Sequence, residues 1–145
     1  MTSLPFDGYV IGGSLGNGKE ELKEIEKASQ TSFVGHCRQR KHTKFRCAGV
    51  DTLDSCYPTR VARHGTLLTR DGSIKIKSGK YSREFGVKID EGCTCRTCRH
   101  YDRAYLWHLF KANEPIAVTL ASQHNIQYMT DLMARIRQDI IDGVI

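Results

Sequence analysis

The chain has 145 residues, a formal charge of +6, 39% hydrophobic and 26% charged side chains, and a pI near 9.1. That length fits one modest domain with a core of its own and leaves little room for two, and the composition is that of a globular chain, not a disordered one. The N-terminus MTSLPFDGYVIGGS lacks a secretory signal and no apolar run could span a bilayer, so a cytoplasmic protein without a membrane partner is expected, its charge suiting a polyanion.

In chain order, Tyr9 to Gly18 reads as a short apolar strand entering a glycine-rich loop, and Lys19 to Gln30, with Leu22 and Ile25 on one face, as the helix after it. Within it, GSLGNGK from Gly13 to Lys19 has the spacing of a nucleotide-binding phosphate loop. Glu20 stands where that motif needs a hydroxyl for magnesium, so a plain strand-to-helix connection is the default. From Ser29 to Arg46 the apolar period is lost, and GHCRQRKHTKFR holds five Arg or Lys and no acid, which predicts a basic loop. Ala48 to Leu53 reads as a second strand that delivers Asp54 at its C-terminal end. The polar, proline-containing run SCYPTRVARHG is then expected to be largely loop. LLTRDGSIKIK, from Leu67 to Lys77, gives a hairpin around Asp71-Gly72. A helix follows over Asp102 to Ala112, Pro115 sets up another helix start, and a last helix runs over roughly Ile126 to Ile141. Tyr128, Leu132, Ile136 and Ile140 form its stripe and Gly143 its stop.

Six cysteines in a reducing compartment favour thiols or metal ligands over disulfides. Cys93, Cys95 and Cys98 form CTCRTC, whose single spacer between the first two disfavours a bridge and whose tight turn can aim several sulfurs at one point. With His124, near the expected junction of two helices, they complete the closed tetrahedral Cys3His shell of a structural zinc ion, Zn2+. His100 and His108 are competing fourth ligands, and free thiols or a redox pair are the alternative to metal. Cys37, Cys47 and Cys56 carry no spacing signal.

Three stretches together resemble one family: LPFDGYVIGGSLG at 4–16, GVDTLDSCYPTRVARHG at 49–65, and CTCRTCRHYDRAYLWHLFKANEP followed by HNIQYMTDLMARIR. The family is that of the tRNA-guanine transglycosylases, (β/α)8-barrel enzymes with an inserted zinc subdomain. The resemblance implies an α/β chain, the C-terminal portion of a (β/α)8 (TIM) barrel. Its parts would be a strand-loop-helix unit at 1–28, an atypical basic segment at 29–47, the nucleophile strand, wobble-recognition loop and hairpin at 48–92, and the zinc subdomain with C-terminal helices at 93–145. It implies exchange of guanine at the wobble position of tRNA for a 7-deazaguanine base, on the route to queuosine. Asp54 would be the nucleophile, Gly13 would meet the base, and Thr59, Arg60, Val61, Ala62 and Arg63 would contact tRNA. Cys93, Cys95, Cys98 and His124 match the family's zinc ligands.

Two departures qualify this. The earlier barrel strands, a second catalytic aspartate and a DSGGFQ-like pocket segment have no counterpart here, so a homodimer or a partner supplying the other barrel half is expected. Between about 30 and 48 no family motif is legible where an LLGIG-like loop belongs, which suggests altered reading or splicing of the gene, or a decayed copy. The alternative function is a catalytically inactive, zinc-stabilised tRNA-binding fragment or partner subunit.

Overall fold

A computed structural model describes residues 9–11, 31–34 and 50–144. Elements are numbered in chain order among these residues. The chain divides into two units, Met1–Tyr57 (with Ile145) and Pro58–Val144, each described by itself.

In the first unit, β1 (Tyr9–Ile11), β2 (Thr31–Val34) and β3 (Val50–Asp54) form a parallel sheet in the order β1-β2-β3. Ile11 pairs with Phe33, and Val34 with Asp54, with an irregularity between Thr31 and Ser32. The strands expected near Tyr9 and at 48–53 are present, the second ending one residue later, on Asp54 itself. The loop expected from Ser29 to Arg46 is corrected at its start, because TSFV is the central strand. Its β-branched and aromatic side chains suit a strand paired on both sides, a preference the adjoining basic run conceals. The expected helix at Lys19–Gln30, the GSLGNGK loop with Gly13, and the basic residues after Val34 lie outside the described residues.

The second unit starts inside α1, Tyr57–Arg63. The loop expected over SCYPTRVARHG is therefore also corrected. Pro58 is the second helical residue, where its missing N–H costs nothing; the Ser55 hydroxyl accepts from Tyr57 N–H at 3.2 Å, and no breaker interrupts Thr59 to Arg63. At the far end Gly65 turns the chain with φ +78° and donates its N–H to the Ala62 carbonyl.

The hairpin is formed by β4 (Thr66–Thr69) and β5 (Gly72–Lys75), antiparallel, with Thr69 opposite Gly72. Its two tip residues are Arg70 and Asp71, one position earlier than the Asp-Gly signal suggests. Gly72, at φ +131°, opens the return strand.

A 3-10 turn at Gly79–Arg83 leads toward the cysteine loop, followed by α2 (Arg96–His100), α3 (Arg103–Lys111) and α4 (Pro115–Ile141). Asp102 caps α3 by accepting from Tyr105 N–H at 2.7 Å, and its other oxygen accepts from Gly86 N–H. Asn113, at φ +57°, ends α3 in a left-handed cap in which Glu114 N–H reaches the Leu109 carbonyl.

Two helices expected around a junction near His124 are one 27-residue helix. Pro115 starts it, and no glycine or proline follows until Gly143. There, with φ +68°, Gly143 N–H reaches the Ile140 carbonyl and Val144 N–H that of Asp139, closing a Schellman motif. The buried positions Ala117, Leu120, Ala121, His124, Asn125 and Tyr128 recur at helical spacing and face a core that includes Leu67, Ile76, Ile89 and Leu106. Among the described residues no helix is long and apolar enough to cross a membrane.

Candidate metal centre

The three cysteines converge because the chain changes conformation between them. Cys93 ends a loop fixed by Asp90, whose carboxylate accepts from Gly92 N–H at 3.0 Å and from Arg70 N–H at 2.9 Å, while Cys93 N–H reaches the Asp90 carbonyl. Cys95 is still extended and caps α2, its sulfur accepting from Cys98 N–H at 3.3 Å. One helical turn then brings Cys98 beside it. The Thr97 hydroxyl donates to the Leu120 carbonyl at 2.9 Å, fastening α2 to α4 at the level where His124 enters.

His124 is fully buried. Its Nε2 lies 2.8 Å from the Leu68 carbonyl oxygen. A carbonyl can only accept, so Nε2 carries the proton, and in the neutral ring Nδ1 is left bare as a ligand. That atom is 3.6 Å from Cys93 Sγ, 3.6 Å from Cys95 Sγ and 3.3 Å from Cys98 Sγ. Zinc–sulfur bonds of about 2.3 Å and zinc–nitrogen bonds of about 2.0–2.1 Å at tetrahedral angles require N···S separations of about 3.5 Å. The four ligand atoms all lie within 4.8 Å of one another, and the donors fit a closed zinc shell. The competing histidines are excluded: His100 and His108 are exposed. Cys56 is exposed and outside the cluster; Cys37 and Cys47 lie outside the described residues.

The thiols do not ionise alike. Cys95 is pushed down to about 3, first by the hydrogen bond from Cys98, with further help from the Cys98 backbone N–H, against the penalty of burial. Cys98 is pushed up by donating that bond and by burial, and Cys93 chiefly by burial. One thiolate is thus readily held by the protein alone, and a divalent cation is what would stabilise three. With four protein ligands no position remains for water or substrate, so a metal here holds structure.

A family model described as queuine tRNA-ribosyltransferase matches residues 1–145. The chain belongs to this family. The queuine tRNA-ribosyltransferase of Protochlamydia amoebophila is 37% identical over 155 residues, covering 100% of this chain and 39% of the relative. That of Chlamydia pneumoniae is 42% identical, covering 94% and 39%, and that of Pediococcus pentosaceus 39% identical, covering 98% and 40%. The chain spans about two fifths of the length of these relatives. Residues 30–48, where no family motif is legible, lie inside the family match, as does the strand β2 that begins there.

The other candidate residues are distributed over both units. Asp54 is the last residue of β3. Thr59 to Arg63 lie on α1, with Arg60 and Arg63 exposed one helical turn apart. Ala62 is fully buried in the core and Val61 half-buried, so only backbone at Ala62 is left to meet a ligand. Asn125 and Asp90, which organise this region, escaped the sequence reading. Asn125 could have been found from its place on the Ala117–Leu120–Ala121–Tyr128 stripe, where a polar residue must be satisfied internally.

Proposed function

We propose that this chain is the C-terminal part of a tRNA-guanine transglycosylase, a barrel enzyme that exchanges guanine at the wobble position of tRNA for a 7-deazaguanine base. Family membership over all 145 residues supports it, and the observation that carries it is Asp54 at the C-terminal end of β3 in a parallel sheet. Catalytic groups of (β/α)8 barrels sit at that end of the strands. The rest of the barrel comes from residues outside this chain or from a second copy or partner that covers its open strands.

In this reading an Asp54 carboxylate oxygen attacks ribose C1′, the C1′–N9 bond breaks, and guanine leaves with the bonding pair, protonated by a general acid outside this chain. N9 of the incoming base then gives up its proton to the same group, now a base, and attacks C1′, returning the carboxylate. Gly13 lets backbone approach the flat base closely. Arg60 and Arg63, on one exposed face of α1, hold phosphates or base edges of the anticodon loop, together with Thr59 and the Val61–Ala62 backbone. The metal centre, built from Cys93, Cys95, Cys98 and His124, fixes α4 against the hairpin and takes no part in the chemistry. We place the protein in the cytoplasm with its tRNA.

A second reading, a tRNA-binding subunit without activity, is favoured by one observation: Pro58–Val144 carries the metal centre, the two arginines and a core of its own, in a unit other than that of Asp54. Asp54→Asn in the complete gene product separates the two. Incorporation of labelled guanine into tRNA should fall by about 10³-fold or more, with tRNA retention unchanged. Exchange that survives the substitution refutes the nucleophile, and a wild-type protein that binds tRNA without any exchange establishes the second reading.

A further inference from the structure

We propose that Asn125 is a positioning residue for RNA recognition, one side-chain amide that holds the helix bearing Arg60 and Arg63 at both of its ends. The inference rests on the reading that α1 meets tRNA.

Asn125 is fully buried. Its Nδ2 donates to the Pro58 carbonyl and to the Thr66 carbonyl, each at 3.0 Å, and its Oδ1 accepts from Leu68 N–H at 2.9 Å. Pro58 is the second residue of α1, and Thr66 is the first residue beyond the turn that ends it. The two donated bonds therefore bracket the helix. Two turns of helix are far too short to hold themselves, and α1 buries only Pro58 and Ala62. So little apolar area cannot fix which way the exposed face points. The amide can, because directional bonds to both ends define an orientation, and leaving the fully buried amide unpaired is costly.

The neighbouring residue makes the anchor rigid. His124 donates to the Leu68 carbonyl while Asn125 accepts from Leu68 N–H, so consecutive residues of α4 grip both polar groups of one β4 residue. The helix carrying the arginines is thereby referenced to the metal-bound segment of α4. Without the amide, α1 would sample several orientations, and tRNA would have to order it on binding. The effect should appear in RNA affinity, since Asp54 belongs to the other unit.

The test is a cycle in the complete gene product: Asn125→Ala, the pair Arg60→Ala with Arg63→Ala, and all three together. Asn125→Asp is a second variant that keeps the volume and the bond from Leu68 but loses both donors. We expect either Asn125 variant to raise KM for tRNA about tenfold, with kcat changed less than about twofold, because what is lost is ground-state binding. Zinc content should match the wild type. In the arginine-less background the substitution should add nothing, as for residues acting through one another. Full additivity overturns the proposal, as does a loss of zinc or of active enzyme at unchanged KM, which would mark a purely structural asparagine. If removing both arginines leaves KM for tRNA unchanged, the assignment of α1 to RNA fails and takes this proposal with it.

Discussion

Removing the metal should cost the second unit a large share of its stability. The cysteine sulfurs belong to the core cluster with Leu67, Ile89 and Leu106, and the ligands come from a loop, from α2 and from α4. At about 0.05–0.15 kcal/mol per residue, a unit the size of Pro58–Val144 has roughly 4–13 kcal/mol of net stability. Structural zinc sites bind with about 10–16 kcal/mol. Not all of that is lost on chelation, because the metal-free cluster retains internal satisfaction. His124 stays bonded to Leu68, and Cys95 keeps the hydrogen bonds from the Cys98 thiol and the Cys98 N–H. If only about 3 kcal/mol disappears, the melting temperature of a unit this size still falls by about 12–24 °C, at 4–8 °C per kcal/mol. The assay is a melt followed by helical circular dichroism with and without a zinc chelator, with metal release quantified by a colorimetric indicator. A melting temperature that moves by less than about 4 °C after verified zinc loss would refute the view that the metal ties these elements together.

Two glycines invert the order that close contacts alone would suggest. Gly92→Ala would bring a Cβ within 2.5 Å of the Arg70 guanidinium, but that side chain is half-exposed and swings away, so urea unfolding should register less than about 1 kcal/mol. Gly65→Ala meets Lys77 Cγ only at 3.0 Å, yet φ there is +78°, and the left-handed backbone should cost about 1–2 kcal/mol; equal effects would refute the ranking. Arg103→Lys loses a planar fork that donates to Glu84 at 2.9 Å and to the Ile89 carbonyl at 3.0 Å and lies over Tyr81. It should destabilise by about 1–2 kcal/mol in the same assay, and a neutral result would mean that an ammonium serves equally well.

What was legible in the sequence was local. CTCRTC announces its metal by spacing, Pro115 marks a helix start, Gly143 marks a helix stop, and the helix from Asp102 shows in its own apolar residues, because each signal acts within a few residues of its source. Misreadings arose where partners lie far along the chain. TSFV became a strand through pairing on both sides with β1 and β3, which no window of 31–34 contains. Pro58 reads as a breaker unless it is known to fall in the first turn. The polar stretch SQHNIQ resembles a gap between helices because its buried residues, His124 and Asn125, satisfy their polar groups against β4 and the carbonyl of Pro58.

The division of labour on α4 explains why a chemically silent metal belongs beside the helix that carries Arg60 and Arg63. A closed shell offers substrate no open position, so its contribution must pass through geometry. The route is short: the ligand Nδ1 of His124 is one side of a ring whose other nitrogen holds Leu68, and the next residue holds the same Leu68 together with both ends of α1. The Asn125 and His124 side chains are fully buried, and a buried polar group left unpaired costs more than the bond itself contributes. Order therefore passes from metal and hairpin to the arginine helix through Asn125, and α1 can be as short as it is without losing direction.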